Sequence, residues 1–315
     1  MSEAMLHAGK AETSVQVKRE KDKRLRINLT GLSFVLPFLI VYALFLIWPI
    51  LLGLRMSFFN WTLSGLGSAD FLGLGNYQLL FSDSAFWQSL GITLLFTVIS
   101  TPLLIIIALA LALLVNRAIP GQAFFRTVFF APFVLPVSVV VLIWSWLYQP
   151  GFGLVNGVLT TLHIPEVGWL SDPHIALISV IILTVWWTVG FNFVLYLAGM
   201  QQISPELNEA ASLDGAGAWA RIRWITIPLL SRTTTLILIL QVIASLQVFQ
   251  QAYLLMGSGD GPNFSTRGAV QYIYEAGFTT FRVGFASAAS YILFILILIV
   301  SVGQFLVLAR QRRNA

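Results

Sequence analysis

Six long stretches of this chain carry no lysine, arginine, aspartate or glutamate: Ile27 to Leu54, Ser84 to Asn116, Thr127 to Pro165, Pro173 to Pro205, Thr233 to Gly259 and Val283 to Ala309. They run from 27 to 39 residues, and the next longest, Met56 to Ala69, has 14. A membrane-spanning helix needs about 20 apolar residues, so the gap between 14 and 27 separates spans from non-spans. Lipid accepts only helices or closed barrels, and continuous apolar runs without strict alternation favour helices. The runs predict an all-α, polytopic membrane protein with spans near Leu32–Leu54, Leu90–Val115, Phe125–Tyr148, Ile175–Met200, Leu236–Met256 and Phe285–Leu308. Composition agrees. Of 315 residues, 57% are hydrophobic and 10% charged, against roughly a quarter charged in a soluble domain. That excludes an ordinary soluble enzyme, a disordered chain and a nucleic-acid binder, despite a net charge of +5.

The basic residues set the orientation. Six spans put both termini on one side. That side collects the N-terminal tail (Lys10, Lys18, Arg19, Lys21, Lys23, Arg24, Arg26), Arg117 and Arg126, the fourth connection (Arg221, Arg223, Arg232) and Arg310, Arg312 and Arg313. The other side has Arg55, Arg267 and Arg282. The positive-inside rule predicts cytoplasmic termini. The expected layout is a basic tail over 1–31, a six-helix domain over 32–309 with a cytoplasmic loop at 201–228, and a short tail over 310–315. The polar stretch before Leu32 is too long for the n-region of a cleavable signal peptide, so none is expected.

Several chemistries find no residues. There is no cysteine, and His7, His163 and His174 form no HExxH pair, so no metal site is expected. No GxxxxGK[ST] phosphate loop or GxSxG elbow occurs, so neither ATP hydrolysis nor another catalytic activity is expected of this chain. Apart from Arg126 at the very edge of the third, none of the predicted spans holds a charged residue. Proton-driven carriers place ionisable groups at membrane depth. Their absence fits a path for a neutral, hydroxyl-rich solute, or a protein powered from outside the membrane.

Loop 201–228 concentrates the polar information. Ser204 suits a helix N-cap, Pro205 the first helical position, and Glu206 the positive end of the dipole. The spacing predicts a helix over Pro205–Leu213, ended by Gly215 in a left-handed conformation, and a second amphipathic stretch over Ala218–Ile227. Spacing alone fits a reconnecting loop or a docking element equally.

Here the residues resemble a known family. Glu209-Ala210-Ala211, then Asp214-Gly215-Ala216, then Ile225-x-Ile227-Pro228 is similar to the EAA---G---------I-LP motif of ABC-importer permeases, in its sugar-importer spelling. Ile227 stands where leucine is usual. Phe71-Leu72-Gly73-Leu74-Gly75-Asn76-Tyr77, Phe124-Phe125-Arg126-Thr127 with Phe129-Phe130-Ala131-Pro132, Gly190-Phe191-Asn192, the loop Gly257 to Pro262, and Gly284-Phe285-Ala286-Ser287-Ala288 resemble further segments of the same family. The resemblance spans nearly the whole chain. It is to the first of the two permeases in carbohydrate importers of the maltose and glycerol-phosphate type.

That resemblance implies a heterodimer with a second permease, two ATPase subunits that hydrolyse ATP with magnesium, and an extracytoplasmic sugar-binding protein. It implies no cofactor on this chain and no nucleic-acid partner, with lipid around the spans and sugar as cargo. It makes Pro205–Leu213 the coupling helix, with Glu209, Ala210, Ala211, Asp214, Gly215 and Ala216 facing the ATPase.

A sugar path also needs polar groups and aromatic faces at depth. Trp48, Trp61, Trp87, Trp144, Trp146, Trp169, Trp219 and Trp224 fall near span ends or in loops, as an interfacial belt predicts. Trp186 and Trp187 fall mid-span. Gln241 and Ser245 share one helical face, and Gln247 and Gln251 another. The pathway set is Trp187, Gly190, Asn192, Gln241, Ser245 and Gln247. The same residues also suit interhelical packing. Pro37, Pro49, Pro102, Pro132 and Pro136 mark either hinges or ordinary membrane-helix prolines. The alternatives to an importer subunit are a self-sufficient carrier or channel for a neutral solute, and a scaffold or sensor without transport.

Overall fold

The computed structural model describes residues 29–62, 70–116 and 121–313, and most of it is helical. The basic tail up to Asn28 and Arg117 lie outside the described residues. Two compact units are present, one ending at Arg55 and one starting at Met56.

The first unit is a helix, α1 (Leu29–Tyr42), continued through a π turn (Ala43–Ile47) into α2 (Trp48–Met56). The span it forms, Ser33–Met56, is long and apolar enough to cross a bilayer. The π turn has a cause. A proline ring inside a helix clashes with the carbonyl four residues back, and Pro49 follows the turn by two residues. A widened turn relieves that crowding. The same device recurs in the second unit, where the π turn Ile222–Thr226 precedes Pro228.

The second unit comprises α3 (Gly75–Ser82), α4 (Ser84–Val115), α5 (Gln122–Val134), α6 (Val137–Leu147), α7 (Leu154–Thr161), α8 (Ala176–Met200), α9 (Pro205–Leu213), α10 (Ala218–Arg221) with its π turn and α11 (Ile227–Leu229), α12 (Ser231–Leu246), α13 (Gln250–Leu255), α14 (Ala269–Tyr274) with a π turn over Glu275–Thr279, and α15 (Val283–Arg313). Three of these helices, α4, α8 and α15, contain continuous spans. The main packing runs α4 along α8, α5 along α8 and α12 along α4. Leu104, Ala108, Phe193, Tyr196 and Ile237 fill the core between them. A second core holds Phe96, Val140, Trp144, Tyr148 and Leu183. Trp144 is therefore core, only 9% exposed, and not part of an interfacial belt.

Two predicted spans are not single helices. The third, Phe125–Tyr148, breaks between α5 and α6, which meet at 98°. Pro136 supplies no N–H and forces the residue before it into an extended conformation, and Leu135 has φ −70° and ψ 137°. Pro37, Pro102 and Pro132 sit inside continuous α-helix instead. The fifth, Leu236–Met256, stops at Leu246, and Gln247 to Phe249 separate it from α13. No proline marks that break. Instead α10–α11 and α12 form a pair bent by 62°.

The segment before α4 explains its asparagine. Nδ2 of buried Asn76 donates to the carbonyls of Ser57 (2.9 Å) and Phe59 (3.0 Å), and Tyr77 Oη pairs with Ser57 Oγ at 2.7 Å. These bonds fold residues 57–62 back onto α3.

Candidate functional site

Two places carry the polar chemistry, and they are built in opposite ways. The first is the loop from α8 to α12. Helix α9 spans Pro205–Leu213 as the spacing predicts. Ser204 occupies the N-cap position, but its side chain makes no capping hydrogen bond, so that expectation fails. Its carbonyl accepts from the Leu207 N–H at 3.3 Å instead. The C-terminal end is the ordered one. Gly215 has φ +80°. The Ala216 N–H donates to the Ala211 carbonyl at 2.8 Å and the Gly215 N–H to the Ser212 carbonyl at 3.2 Å. This is a Schellman ending. It gives the motif a local meaning: Ala211 and Ala216 close the turn, and glycine holds the left-handed residue between them.

No residue of α9 is buried. Glu209, Ala210, Asp214 and Gly215 are exposed, and Ala211 and Ala216 are half-buried. Leu213 is 90% exposed, and Trp219 and Trp224 just beyond are exposed as well. Arg223 lies over the Trp224 ring, 5.5 Å from its centre.

The second place is a cavity of about 320 Å³ between α4, α5, α8, α12 and α13. Trp187, Asn192, Gln241 and Ser245 all line it. Asn192 Nδ2 donates to Gln241 Oε1 (3.0 Å), and Gln241 Nε2 donates to Ser245 Oγ (3.2 Å). From α4, Ser100 Oγ lies 3.3 Å from Ser245 Oγ, and Thr101 Oγ1 donates to the same atom at 3.3 Å. Trp187 Nε1 donates to the Leu135 carbonyl at 3.2 Å. The break before Pro136 leaves carbonyls without helical partners, and the tryptophan satisfies one of them. Its ring meanwhile forms a wall of the cavity.

Gly190 and Gln247 stand apart from this cavity. A Cβ on Gly190 would collide with the Phe129 carbonyl, so glycine permits α5 and α8 to approach closely. Gln247 is exposed, and the break after Leu246 removes the helical face it was expected to share with Gln251. Gln251 lines the cavity instead, its Nε2 3.5 Å from Thr184 Oγ1. Sequence reasoning missed Thr184, Thr188 and Phe133 as lining residues. Thr184 and Thr188 precede Asn192 at four-residue spacing, which was a readable signal. Phe133 enters only through the α5–α6 bend.

The polar groups of the cavity are partnered but not saturated. An amide side chain offers two donors and two acceptor lone pairs, and the Asn192 amide uses one donor here. With an aromatic wall beside them, these groups can exchange partners with a hydroxylated ring. A larger cleft of about 590 Å³, lined by residues such as Leu103, Ile107, Val128 and Trp186, is almost wholly apolar and offers no such chemistry.

Comparison with known proteins follows the same lines. Residues 105–314 match the model of the binding-protein-dependent transport system inner membrane component family. The chain is 33% identical over 269 residues to the sulfoquinovosyl glycerol transport system permease protein of Agrobacterium fabrum, covering 85% of this chain and 87% of that one. It is 33% identical over 287 residues to the trehalose/maltose transport system permease protein of Thermococcus litoralis, covering 90% and 95%. Its fold matches a solved bacterial ABC transporter involved in import of the acidic polysaccharide alginate, with a TM-score of 0.78 and 23% identity, covering 92% and 99%. The chain belongs to the binding-protein-dependent ABC transport permeases. It is a multi-pass inner-membrane transport subunit and not a catalytic enzyme, and ATP is hydrolysed on partner subunits.

Proposed function

We propose that this permease forms one half of the translocation path of a carbohydrate importer, paired with a second, homologous permease. Two ATPase subunits bind on the cytoplasmic face, and an extracytoplasmic binding protein delivers a sugar or oligosaccharide. Both relatives named above are sugar-system permeases, which supports the substrate class. The basic residues on the connections support cytoplasmic termini.

The observation that carries the reading is α9, a capped and ordered helix without one buried residue. A helix so well terminated yet so bare needs a partner to cover it. In this reading it seats in a cleft of the ATPase, and Glu209 makes a charge-assisted contact there. Nucleotide-driven closure moves α9, and the stiff link through Gly215 passes that motion to α12 and the cavity. Trp187, Asn192, Gln241 and Ser245, joined by Gln251, contact the sugar on its way. Among the described residues no cationic side chain lines the cavity, which favours a neutral substrate.

Reconstitution tests it. Proteoliposomes holding both permeases, the ATPases and the binding protein take up sugar only with ATP. Equal uptake without ATP, or flux through this chain alone, overturns the reading in favour of a self-sufficient carrier.

A further inference from the structure

The segment from Gly257 to Arg282 links α13 to α15 and holds a cluster of charge that sugar passage does not use. Gln271 on α14 is 1% exposed. Its Nε2 lies 3.0 Å from the Gly259 carbonyl, 2.7 Å from Asp260 Oδ1 and 2.9 Å from Glu275 Oε1. An amide nitrogen carries two hydrogens, so three oxygens compete for two donors. Turning the amide over would set Oε1 against the same three oxygens, which fixes its orientation.

Arg267 does not supply the missing donor. It stands 3.9 Å from Asp260 Oδ2 and 3.8 Å from Glu275 Oε2, beyond ordinary hydrogen-bond length. Its Nε has no partner, and its guanidinium lies over the Phe264 ring at 4.5 Å. The other charged groups here are engaged elsewhere. Asp83 accepts from Tyr272 Oη at 2.6 Å, and Arg282 lies over Phe285 at 4.4 Å. The Tyr272 hydroxyl is pushed up, by burial first and then by its bond to Asp83, so it stays protonated. Two carboxylates, each 24% exposed, thus converge on one amide and one arginine.

We propose that Glu275 keeps its proton in the folded loop and donates it toward the Asp260 carboxylate, and that this protonated contact makes the loop a pH-sensitive latch. The proton is the donor the geometry lacks. Burial, and then the hydrogen bond with Asp260, raises the Glu275 carboxyl from its ordinary 4.5 to about 7. The folded loop therefore holds its proton over a range where the opened loop has lost it. Its stability is full below 4.5, falls as pH rises from there, and levels off above about 7. The loop is also strained. Ser258, Asn263, Phe264 and Phe281 all have positive φ, which is costly for bulky side chains. Glu275 itself opens the π turn after α14. Losing the proton weakens what holds these residues in place. That this loop faces outward rests on the proposed function; that it holds a proton does not.

The test is hydrogen exchange, read by mass spectrometry, of peptides covering residues 257–282 in the assembled transporter in lipid nanodiscs. After correction for intrinsic rates, exchange of the wild-type loop rises on the order of 20-fold between about pH 5.5 and about pH 8. Glu275→Gln replaces that proton by fixed amide hydrogens and flattens the slope, and Asp260→Asn reduces it by removing the carboxylate that accepts the proton, while burial of Glu275 remains. A flat wild-type profile, or a wild-type slope kept in both variants, overturns the proposal. Should one variant fail to assemble, the wild-type profile and the other variant still decide. A flat profile with intact ATP-driven uptake contradicts the latch alone, and a clear slope without ATP-dependent uptake contradicts the importer reading alone.

Discussion

Helix α9 and the cavity beneath the α5–α6 bend are both polar, and they differ in who completes them. The cavity is closed by this chain. Asn192, Gln241, Ser245, Ser100 and Thr101 bond one another across α4, α8 and α12. Among the described residues nothing buries any residue of helix α9, and its ends are settled by backbone bonds alone. The lesson concerns what a substitution can cost. Inside the cavity a change strikes stability first, because a lost partner leaves a buried polar group. On α9, in the proposed function, it strikes coupling first, because no side chain there is buried.

The largest effect tests that division on the exposed side. Glu209→Lys and Gly215→Pro lower ATP-driven uptake at least about tenfold, or about 1.4 kcal/mol, and the thermal midpoint of the purified Glu209→Lys permease stays within error of the wild type. Gly215→Pro acts through the left-handed position, which proline cannot adopt. A fall in midpoint equal to that of a core variant would erase the contrast.

Next comes Gly190→Val on the buried side. Its branched side chain meets the Phe129 backbone, and overpacking of this kind costs ~1–3 kcal/mol. Denaturation of the purified protein reads it. Asn192→Leu removes the donor to Gln241 and costs ~1–3 kcal/mol. It also raises the KM for sugar uptake while leaving the ATP requirement intact. A loss of ATP dependence in this variant would mean that cavity and coupling are not separable. Last comes Ser245→Ala, at about 1 kcal/mol: Ser100 and Thr101 can turn to carbonyls of their own helix, while Gln241 Nε2 loses its acceptor.

The same contrast explains what could be read without a structure. The bounds of α9 and the role of Gly215 follow from neighbours in sequence: Pro205 at the first turn, glycine at the end, and backbone bonds spanning a few residues. Membrane crossing follows equally from the length of the charge-free runs. The cavity does not, because Ser100 and Ser245 meet across 145 positions. Gln247 and Gln251 show the limit most sharply. Helical spacing puts them on one face, yet the chain unwinds between them, and only Gln251 reaches the cavity. Pro136 and Pro102 carry the same local signal, and only the surrounding packing decides that one breaks a helix and the other does not. Ser204 teaches the reverse: a favourable N-cap residue goes unused where the helix end is open to solvent.

The absence of cysteine makes one site testable in isolation. Leu213→Cys places a single thiol at the bare end of α9, where the native side chain is 90% exposed. A membrane-impermeant maleimide applied to the face that the proposed function makes cytoplasmic should label it quickly in the free permease and at least about tenfold more slowly once the ATPase subunits are bound. Equal labelling in both states would contradict the claim that α9 is where the driving force enters.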